Sequence, residues 1–504
     1  MKNIIIFISL IFVSVNGIAQ IHIGQGQSFL TIEAAHIASV IHPGDTVYLH
    51  VGIFAGYQGI LALKGDSLNW IVITRYQEDS IEIRGGWQFM SCEFIKFLNL
   101  NFKANEQYPG RLLNLDNSGS CETQSRFIKF DSCSFSDVTD PNAITAFKFG
   151  GVDNFEITNC IYQNMPSCGA FDFNVCHNGL IRGNRIENCL TGGHIKGGAS
   201  NITMDRNIFI NASAAPWVAF EFGGDTGDQF YCPGDNFEVK NLNFYSNIII
   251  GGYRGLALSS AVDCNVINNT FYNCGQAVIR FLTTSHLYPD LSGNRIHNNI
   301  FAFGESAYIN GGSQLADAAT ISNNIYYSFI NPSFTGPYWD TPELDAIRET
   351  NPMIFGSDEL MFVNAEENDF HLIEGSPAIT SALTVSEPST DFYGNIFLAS
   401  SRSCGAIEYI PETGIDEKTK GGNICIYPNP ASDYINIKLV PQQTICPWNI
   451  KIINELGIVV CEVQLSYPDT REIWIDTIHL SAGLYLCIFR AGGYFETVKM
   501  VVVR

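Results

Sequence analysis

The sequence predicts an all-β chain, a right-handed parallel β-helix with an N-terminal helical cap, followed by a small C-terminal β-sandwich. Three observations carry this. First, one phrase recurs between Phe94 and Tyr327: Asn or Cys, one residue, then an aromatic or aliphatic residue, after apolar–polar alternation. It reads Ser132-Cys133-Ser134-Phe135, Asn159-Cys160-Ile161-Tyr162, Arg206-Asn207-Ile208-Phe209 and Asn268-Asn269-Thr270-Phe271 in successive versions. Second, its spacings from Leu100 to Asn324 are 33, 27, 24, 23, 40, 22, 30 and 25 residues, the period of a solenoid. The alternation is that of strands, and strands recurring once per turn stack in parallel. Third, six consecutive phrases hold an amide at one position: Asn184, Asn207, Asn247, Asn269, Asn299 and Asn324. Such amides can bond along a ladder, and Asn tolerates the left-handed angles of a bend. A second partial column follows at Asn164, Asn188, Asn211 and Asn273.

Residues 1–19 read as a secretory signal peptide: Lys2, an apolar run from Ile4 to Val15, and Gly17-Ile18-Ala19 before the cut. No later segment is long and apolar enough to span a membrane. Phe29, Ile32, Ala35, Ile37 and Val40 fall at helical spacing, which predicts a helix over 29–41 that covers the open end of the solenoid. The β-helix is expected over 20–330. Pro43-Gly44-Asp45-Thr46 followed by Gly52-Ile53-Phe54 resembles the opening coil of secreted proteins of the pectate-lyase-like superfamily.

The largest insertion, from Gly223 to Asn236, projects from the stack, where solenoids build their sites. Residues 331–410 lose the amide column and are expected to form the last coil and C-terminal cap. Residues 411–423 are polar and aperiodic, a linker. In 424–504, Ile426-Tyr427-Pro428-Asn429-Pro430-Ala431 and Leu480-Ser481-Ala482-Gly483-Leu484-Tyr485 resemble the type A sorting domain of the type IX secretion system. The resemblance implies a Bacteroidota-like source, the secretion machinery as partner, and a protein released or held on the outer-membrane cell surface.

Composition sets limits on function. Hydrophobic residues make up 46% and charged residues 15%, which suits a large sheet core under a polar, uncharged surface. The net charge of −22 excludes nucleic acid or anionic membrane as a whole-surface partner. The 15 cysteines are odd in number and lack CxxC spacing. Cys133 and Cys160 stand in the amide column, and Cys189 and Cys274 at matching places in their coils, so they read as buried small apolar side chains rather than disulfides.

The chemistry is expected on the alternating strand that precedes each phrase. These strands read Ala146-Phe147-Lys148-Phe149, Ala170-Phe171-Asp172-Phe173, Gly193-His194-Ile195-Lys196 and Ala219-Phe220-Glu221-Phe222. Where neighbours have Phe-x-Phe, one coil has His194-Ile195-Lys196, and residues two apart share a face. Either the Phe columns, Phe222 included, face outward as a sugar platform, or Lys148, Asp172 and Glu221 do. A register shift at the Gly-Gly pairs would bring all the charges outside.

Lys196-Gly197-Gly198 resembles the base position of the chondroitinase B and alginate lyase family, and of a β-helix pectate lyase family. There a lysine takes the proton alpha to a uronate carboxylate that calcium or Arg neutralises. The Arg-His pair of the first family is replaced here by Glu221-Phe222, and the Asp-Asp calcium cluster of the second is absent. Asp225, Asp228 and Asp235 in the insertion are the candidate calcium ligands. A less characterised group of bacterial β-helix proteins shares the order His194 to Gly198, Gly223 to Gly227, and Arg280-Phe281-Leu282. The candidate catalytic set is thus Lys196, His194 and Arg280, with Lys148, Asp172, Glu221 and Phe222 as substrate contacts. The expected function is binding of an extracellular polysaccharide, with β-elimination of a uronate glycan as its catalytic form. A non-catalytic adhesion rod remains open, as does a glycoside hydrolase using Asp172 and Glu221 as paired carboxylates.

Overall fold

The computed structural model describes residues 19–143, 145–304, 308–310, 319–339, 349–410, 424–427, 429–439, 448–454, 458–465, 472–491 and 494–503. The expected signal peptide, apart from Ala19, and the expected linker lie outside them. The chain winds as a parallel β-solenoid with two long sheets, of fourteen and nineteen strands. The fourteen-stranded sheet runs from Gln20–Ile23 through Thr46–Leu49 and Ile71–Arg75 to Glu349–Thr350. The nineteen-stranded sheet takes two strands from most coils, giving each coil three faces. In the coil of Cys133 these are Ser134–Ser136 and Thr145–Gly150; in the next two they fuse into Ile161–Asn174 and Arg185–Lys196.

The recurring phrase forms one corner and the strand after it. Its aromatic or aliphatic residue points inward and stacks coil on coil. Phe102 lies 4.9 Å from Phe135 and Phe135 lies 4.8 Å from Tyr162, the ring planes tilted by 4° and 3°. The amides form the expected ladder, and it has a direction. Asn184 donates through its backbone N and its Nδ2 to Asn207 Oδ1, both at 2.9 Å. Asn207 does the same to Asn247, Asn247 to Asn269, Asn269 to Asn299, and Asn299 to Asn324. Each Nδ2 also donates to a backbone carbonyl of the preceding coil, such as Ile157 O at 3.0 Å for Asn184. The last rung, Asn324, donates to Glu349 Oε1 at 2.7 and 2.9 Å, and Tyr326 donates to Glu349 Oε2 at 2.5 Å. Every buried amide is therefore satisfied by the coils on its two sides, as a buried polar column must be.

The left-handed bend falls one residue before the amide, not on it. Asn159, Arg206, Ser246, Asn268, Asn298 and Asn323 have φ of 55, 61, 52, 55, 57 and 54°. The amide residue is thereby freed to turn its side chain into the ladder. The second set, Asn164, Asn188, Asn211 and Asn273, read from the sequence as a partial ladder, is instead a row of left-handed bends, with φ of 56, 51, 47 and 55° and, among the described residues, no hydrogen bond between its members.

Two expectations about the ends need correction. The N-terminal helix is only six residues, Ile32–Ile37, with Thr31 as its N-cap. It lies against Gln58–Leu61, where Gln58 Oε1 accepts from Ile32 N, while the strand Gln20–Ile23 itself ends the other sheet. Ile37 is 76% exposed, so the longer apolar spacing is not one buried stripe. At the other end, residues 380–410 do more than close the stack: they run back along its side. Arg206 donates to Phe392 O, Ser246 to Thr390 O, Asn268 to Ser403 O and Asn298 to Leu383 O. The cause is visible in the strands beneath. Ile248-Ile249-Ile250 is apolar on both faces, and its outward residues pack with Phe370, Ala406 and Ile407. Gly405 passes so close that a Cβ there would sit 2.5 Å from Ile300 Cδ1.

The columnar cysteines Cys133, Cys160, Cys189 and Cys274 are buried and unpaired as expected, and burial pushes the Cys274 thiol up to about 12. One disulfide does form, Cys121–Cys232. In the tail, a three-stranded and a four-stranded antiparallel sheet share a core of Ile435, Ile437, Ile450, Ile475 and Phe489.

Burial raises the Glu349 carboxyl to about 7, against the lowering effect of its Tyr326 and Asn324 donors. Its folded value stands above its unfolded one, so its contribution to stability is full at low pH and is lost as pH rises from about 4.5 to about 7. Glu349→Gln should keep the rung and remove this dependence. Between pH 4 and pH 8, chemical denaturation of the variant should lose about 3 kcal/mol less than the wild type, at 1.36 kcal/mol per unit.

Candidate functional site

The third face of the solenoid carries the charged residues, and the ladder register decides where they point. Lys148 pairs with Asp172, Asp172 with His194, His194 with Glu221, Glu221 with Ala257 and Ala257 with Arg280. These residues form a single outward column. Two places along each strand, Asp116, Asn174, Lys196 and Ser259 stand in a second outward position of their coils. The inward positions hold Phe149, Phe173, Ile195, Phe222, Leu258 and Phe281, all buried.

His194-Ile195-Lys196 therefore does not replace Phe-x-Phe. Its register partner is Asp172-Phe173-Asn174, one residue out of step with that alignment. Gly193 occupies the first Phe position, with φ of +124°, and a Cβ there would meet Phe171 O at 2.3 Å. In the space it leaves, Phe171 and Phe220 approach across the intervening coil, ring centroids 6.3 Å apart. Phe222 is fully buried, so the expectation that it contacts substrate is corrected: it is core.

Asp172 is the centre of the site. It is 4% exposed and accepts from His194 Nε2 at 2.8 Å and Asn174 Nδ2 at 2.7 Å on one oxygen, with Lys148 Nζ 3.3 Å from the other. Burial alone would raise its carboxyl. The His194 hydrogen bond, the His194 charge, Lys148 and Lys196 together outweigh burial and hold it well below the usual carboxylate range. An ionised, fully engaged Asp172 fixes the His194 ring, leaving its other nitrogen toward the surface. It also removes Asp172 from service as half of a hydrolytic carboxylate pair. Glu221 accepts from Ser259 Oγ at 2.5 Å. Arg280 lies two coils beyond Glu221, roughly 10 Å along the axis.

Lys196 ends its strand at Gly197-Gly198, whose φ values are +68° and +86°. Both glycines are required by what lies on them. A Cβ on Gly197 would sit 3.1 Å from Thr226 Cγ2, and one on Gly198 would sit 2.5 Å from Asp235 Oδ2. The long insertion thus folds down over this turn as a wall beside Lys196. Inside the wall, Glu238 is fully buried and accepts from Thr226 Oγ1 at 2.5 Å and from the Tyr231 hydroxyl. Its far end is held by Cys232, bonded to Cys121 in the loop after Leu113–Asp116. The register counts four coil steps between those two coils, so the disulfide ties the wall across roughly 19 Å of stack at about 4.8 Å per coil.

The three candidate calcium ligands do not converge. Asp225 and Asp228 take the two ring nitrogens of His286, at 2.6 and 2.9 Å, and those hydrogen bonds raise the His286 pKa. Asp235 accepts from Cys232 N and faces Gly198. Among the described residues no group of three or more His, Cys, Asp or Glu side chains is placed to hold a metal ion. The donor set does not fit calcium.

Residues 425–504 match the secretion system C-terminal sorting domain. The chain thus carries a type IX sorting tail, which directs it to the cell surface or to release. Among the described residues no helix is long and apolar enough to cross a membrane. No curated protein matches the sequence. Solved structures that are similar include the family 6 alginate lyase AlyGC, at 11% identity and TM-score 0.40 over 79% of this chain and 60% of that one. Another is a mannuronic-acid-specific family 6 lyase from human gut microbiota, at 12% identity and TM-score 0.43 over 66% and 79%. A third is XylC in complex with xylose, at 11% and TM-score 0.42 over 78% and 98%. This chain thus spans 60% of the length of AlyGC. These likenesses transfer no residue role.

Removing the central charge should be read in stability. Asp172→Asn leaves Lys148 and His194 without their buried partner, and should cost about 3 kcal/mol near neutral pH. The folded carboxyl lies below its unfolded value, so its contribution is present above the ordinary carboxylate range and is lost as pH falls through it. The gap between wild type and variant in chemical denaturation should accordingly narrow below about pH 4.

Proposed function

We propose that the third face binds an extracellular polysaccharide containing uronate residues and cleaves it by β-elimination. The observation that carries this reading is the register that sets Lys148, His194 and Lys196 on one outward surface around the ionised Asp172. Lys148 and Lys196 supply local positive charge for an anionic chain in spite of the net charge of −22. The sorting tail places the protein where such polymers are met.

In this reading Lys196 Nζ takes the proton from the carbon alpha to the uronate carboxylate. The C–H electron pair becomes a carbon–carbon double bond. The bond from the neighbouring carbon to the glycosidic oxygen breaks, and the ammonium formed on Lys196 returns a proton to that oxygen. Negative charge gathers on the carboxylate as the proton leaves. Lys148 offsets it by charge, His194 by a hydrogen bond from the ring that Asp172 holds in place. Arg280 receives the carboxylate of a neighbouring sugar on the same column. The glycines after Lys196 let the Thr226 and Asp235 side chains of the wall pack on the turn beside it.

The test is direct. The purified chain is incubated with polymannuronate, polyguluronate, polygalacturonate and glycosaminoglycans while ultraviolet absorbance reports unsaturated product. Absorbance should rise with at least one polymer, and Lys196→Ala should lower the rate by about 100-fold or more. Wild-type protein that binds a polymer and gives no absorbance change would refute cleavage and leave a binding protein.

A further inference from the structure

The coil that carries Glu221 is the longest by ladder spacing, 40 residues from Asn207 to Asn247, and it makes two excursions. One is the wall described above. The other, residues 211–219, leaves the opposite side of the same strand and ends at Trp217, which is 45% exposed. Among the described residues no other ring stacks on it. A tryptophan left open to water on a loose loop would be unremarkable, but this loop is fastened at every turn. Trp217 N donates to Ala214 O at 2.7 Å and Ala214 N to Leu190 O at 2.9 Å. Thr191, three residues before His194, donates through Oγ1 to Val218 O at 2.7 Å. Ser213 Oγ donates to Arg254 O at 2.9 Å, and Ala219 N donates to the same carbonyl at 3.0 Å.

The side chain of Arg254 completes the arrangement. Its Nη1 donates to Pro216 O, the residue before Trp217, and its Nε donates to Gln276 Oε1. The guanidinium carbon lies 4.7 Å over the Tyr253 ring. The planar group is thus oriented by the protein and carries further N–H donors beyond those two. An exposed indole on a fastened backbone, one residue from the carbonyl that an oriented guanidinium holds, offers the chemistry of a sugar ring that bears a carboxylate: the apolar face of the ring lies on the indole, and the carboxylate meets the guanidinium. Arg254 stands two coils from Lys196 by register, roughly 10 Å along the axis, and five places before its position, roughly 16 Å along the strand, so about 19 Å in all, a distance that an oligosaccharide spans.

We infer that Trp217, with Tyr253 and Arg254, forms a second subsite that holds a uronate residue of the same polysaccharide on the side of the face opposite the disulfide-tied wall. The inference rests on the reading of the third face as a uronate-binding surface and names how that surface grips its chain away from the reacting bond. The subsite binds and positions; it performs no chemistry.

The experiment uses the full chain with Lys196→Ala, so that oligomers stay intact, titrated with mannuronate, guluronate and galacturonate oligomers and with neutral xylan oligomers by calorimetry and tryptophan fluorescence. Uronate oligomers should bind, and the indole emission should change on binding. Adding Trp217→Ala should weaken uronate binding about tenfold and abolish that emission change, with the melting temperature held. Adding Arg254→Lys keeps the charge and loses the fork; it should narrow the preference for uronate over xylan oligomers. Uronate binding that is unchanged in both variants would overturn the subsite while leaving the third-face reading intact. A chain that binds no uronate oligomer at all would overturn both, and that failure appears before any subsite variant is made. Binding without cleavage by the wild type would refute only the chemistry and leave the subsite standing.

Discussion

Parallel stacking in strict register is the constraint on which the rest depends. Each strand takes its hydrogen bonds from the coil before and gives them to the coil after, so a side chain's column is settled by its neighbours and not by its own coil. The amide ladder enforces that register from inside. Asn184 cannot slip by one place against Asn207 without leaving two buried donors unmet, at a cost of about 1–3 kcal/mol for each unsatisfied group. The stacked rings of Phe102, Phe135 and Tyr162 impose the same spacing by contact. Once register is fixed, Lys148, Asp172, His194 and Glu221 have no choice but to share a surface.

Against that regular background the functional features are local departures, each permitted by a small residue. Gly193 lets two phenylalanines meet across a coil and keeps His194 in the outward column. Gly197 and Gly198 let the long insertion lie directly on the turn beside Lys196. The Cys121–Cys232 bond then makes a loop that has no sheet of its own behave as part of the scaffold, because its two ends answer to coils four steps apart. A groove wall built this way owes its position to the solenoid's pitch and not to its own packing.

Much of this was legible in the sequence, for reasons of period. The phrase from Asn99 to Tyr326, the inward aromatic and the amide column follow from spacing alone, and the sorting tail from its motifs. The charged cluster was legible as a cluster. Its exact columns were not, because a glycine in a core position carries no hydrophobic signal: the eye aligns His194-Ile195-Lys196 with Phe-x-Phe, whereas the fold aligns Gly193 with Phe171. For the same reason Phe222 looked available and is core. The left-handed residue was assigned one place late, since Arg206 and Ser246 do not announce such a bend while the Asn beside each does. The returning segment had a signal that period analysis passes over: Ile248-Ile249-Ile250 is apolar on both faces and needs a cover. Trp217, fastened through Arg254, could not be found at all without coordinates, because Trp217 and Arg254 stand 37 residues apart in sequence.

The direction of the amide ladder bears on the order in which the molecule can be completed. Every rung accepts from the rung before it and presents its backbone N–H and one side-chain N–H to an acceptor in the coil still to come. A chain growing from its N-terminus therefore always carries one open pair of donors at its advancing edge, passed forward from Asn184 to Asn324 like an unfinished sentence. The full stop is a carboxylate, Glu349, outside the repeat and different in kind from everything before it. The solenoid thus has a chemically marked last coil, and a chain cut short anywhere between Asn207 and Asn324 ends with an exposed donor pair that invites the edge of another molecule.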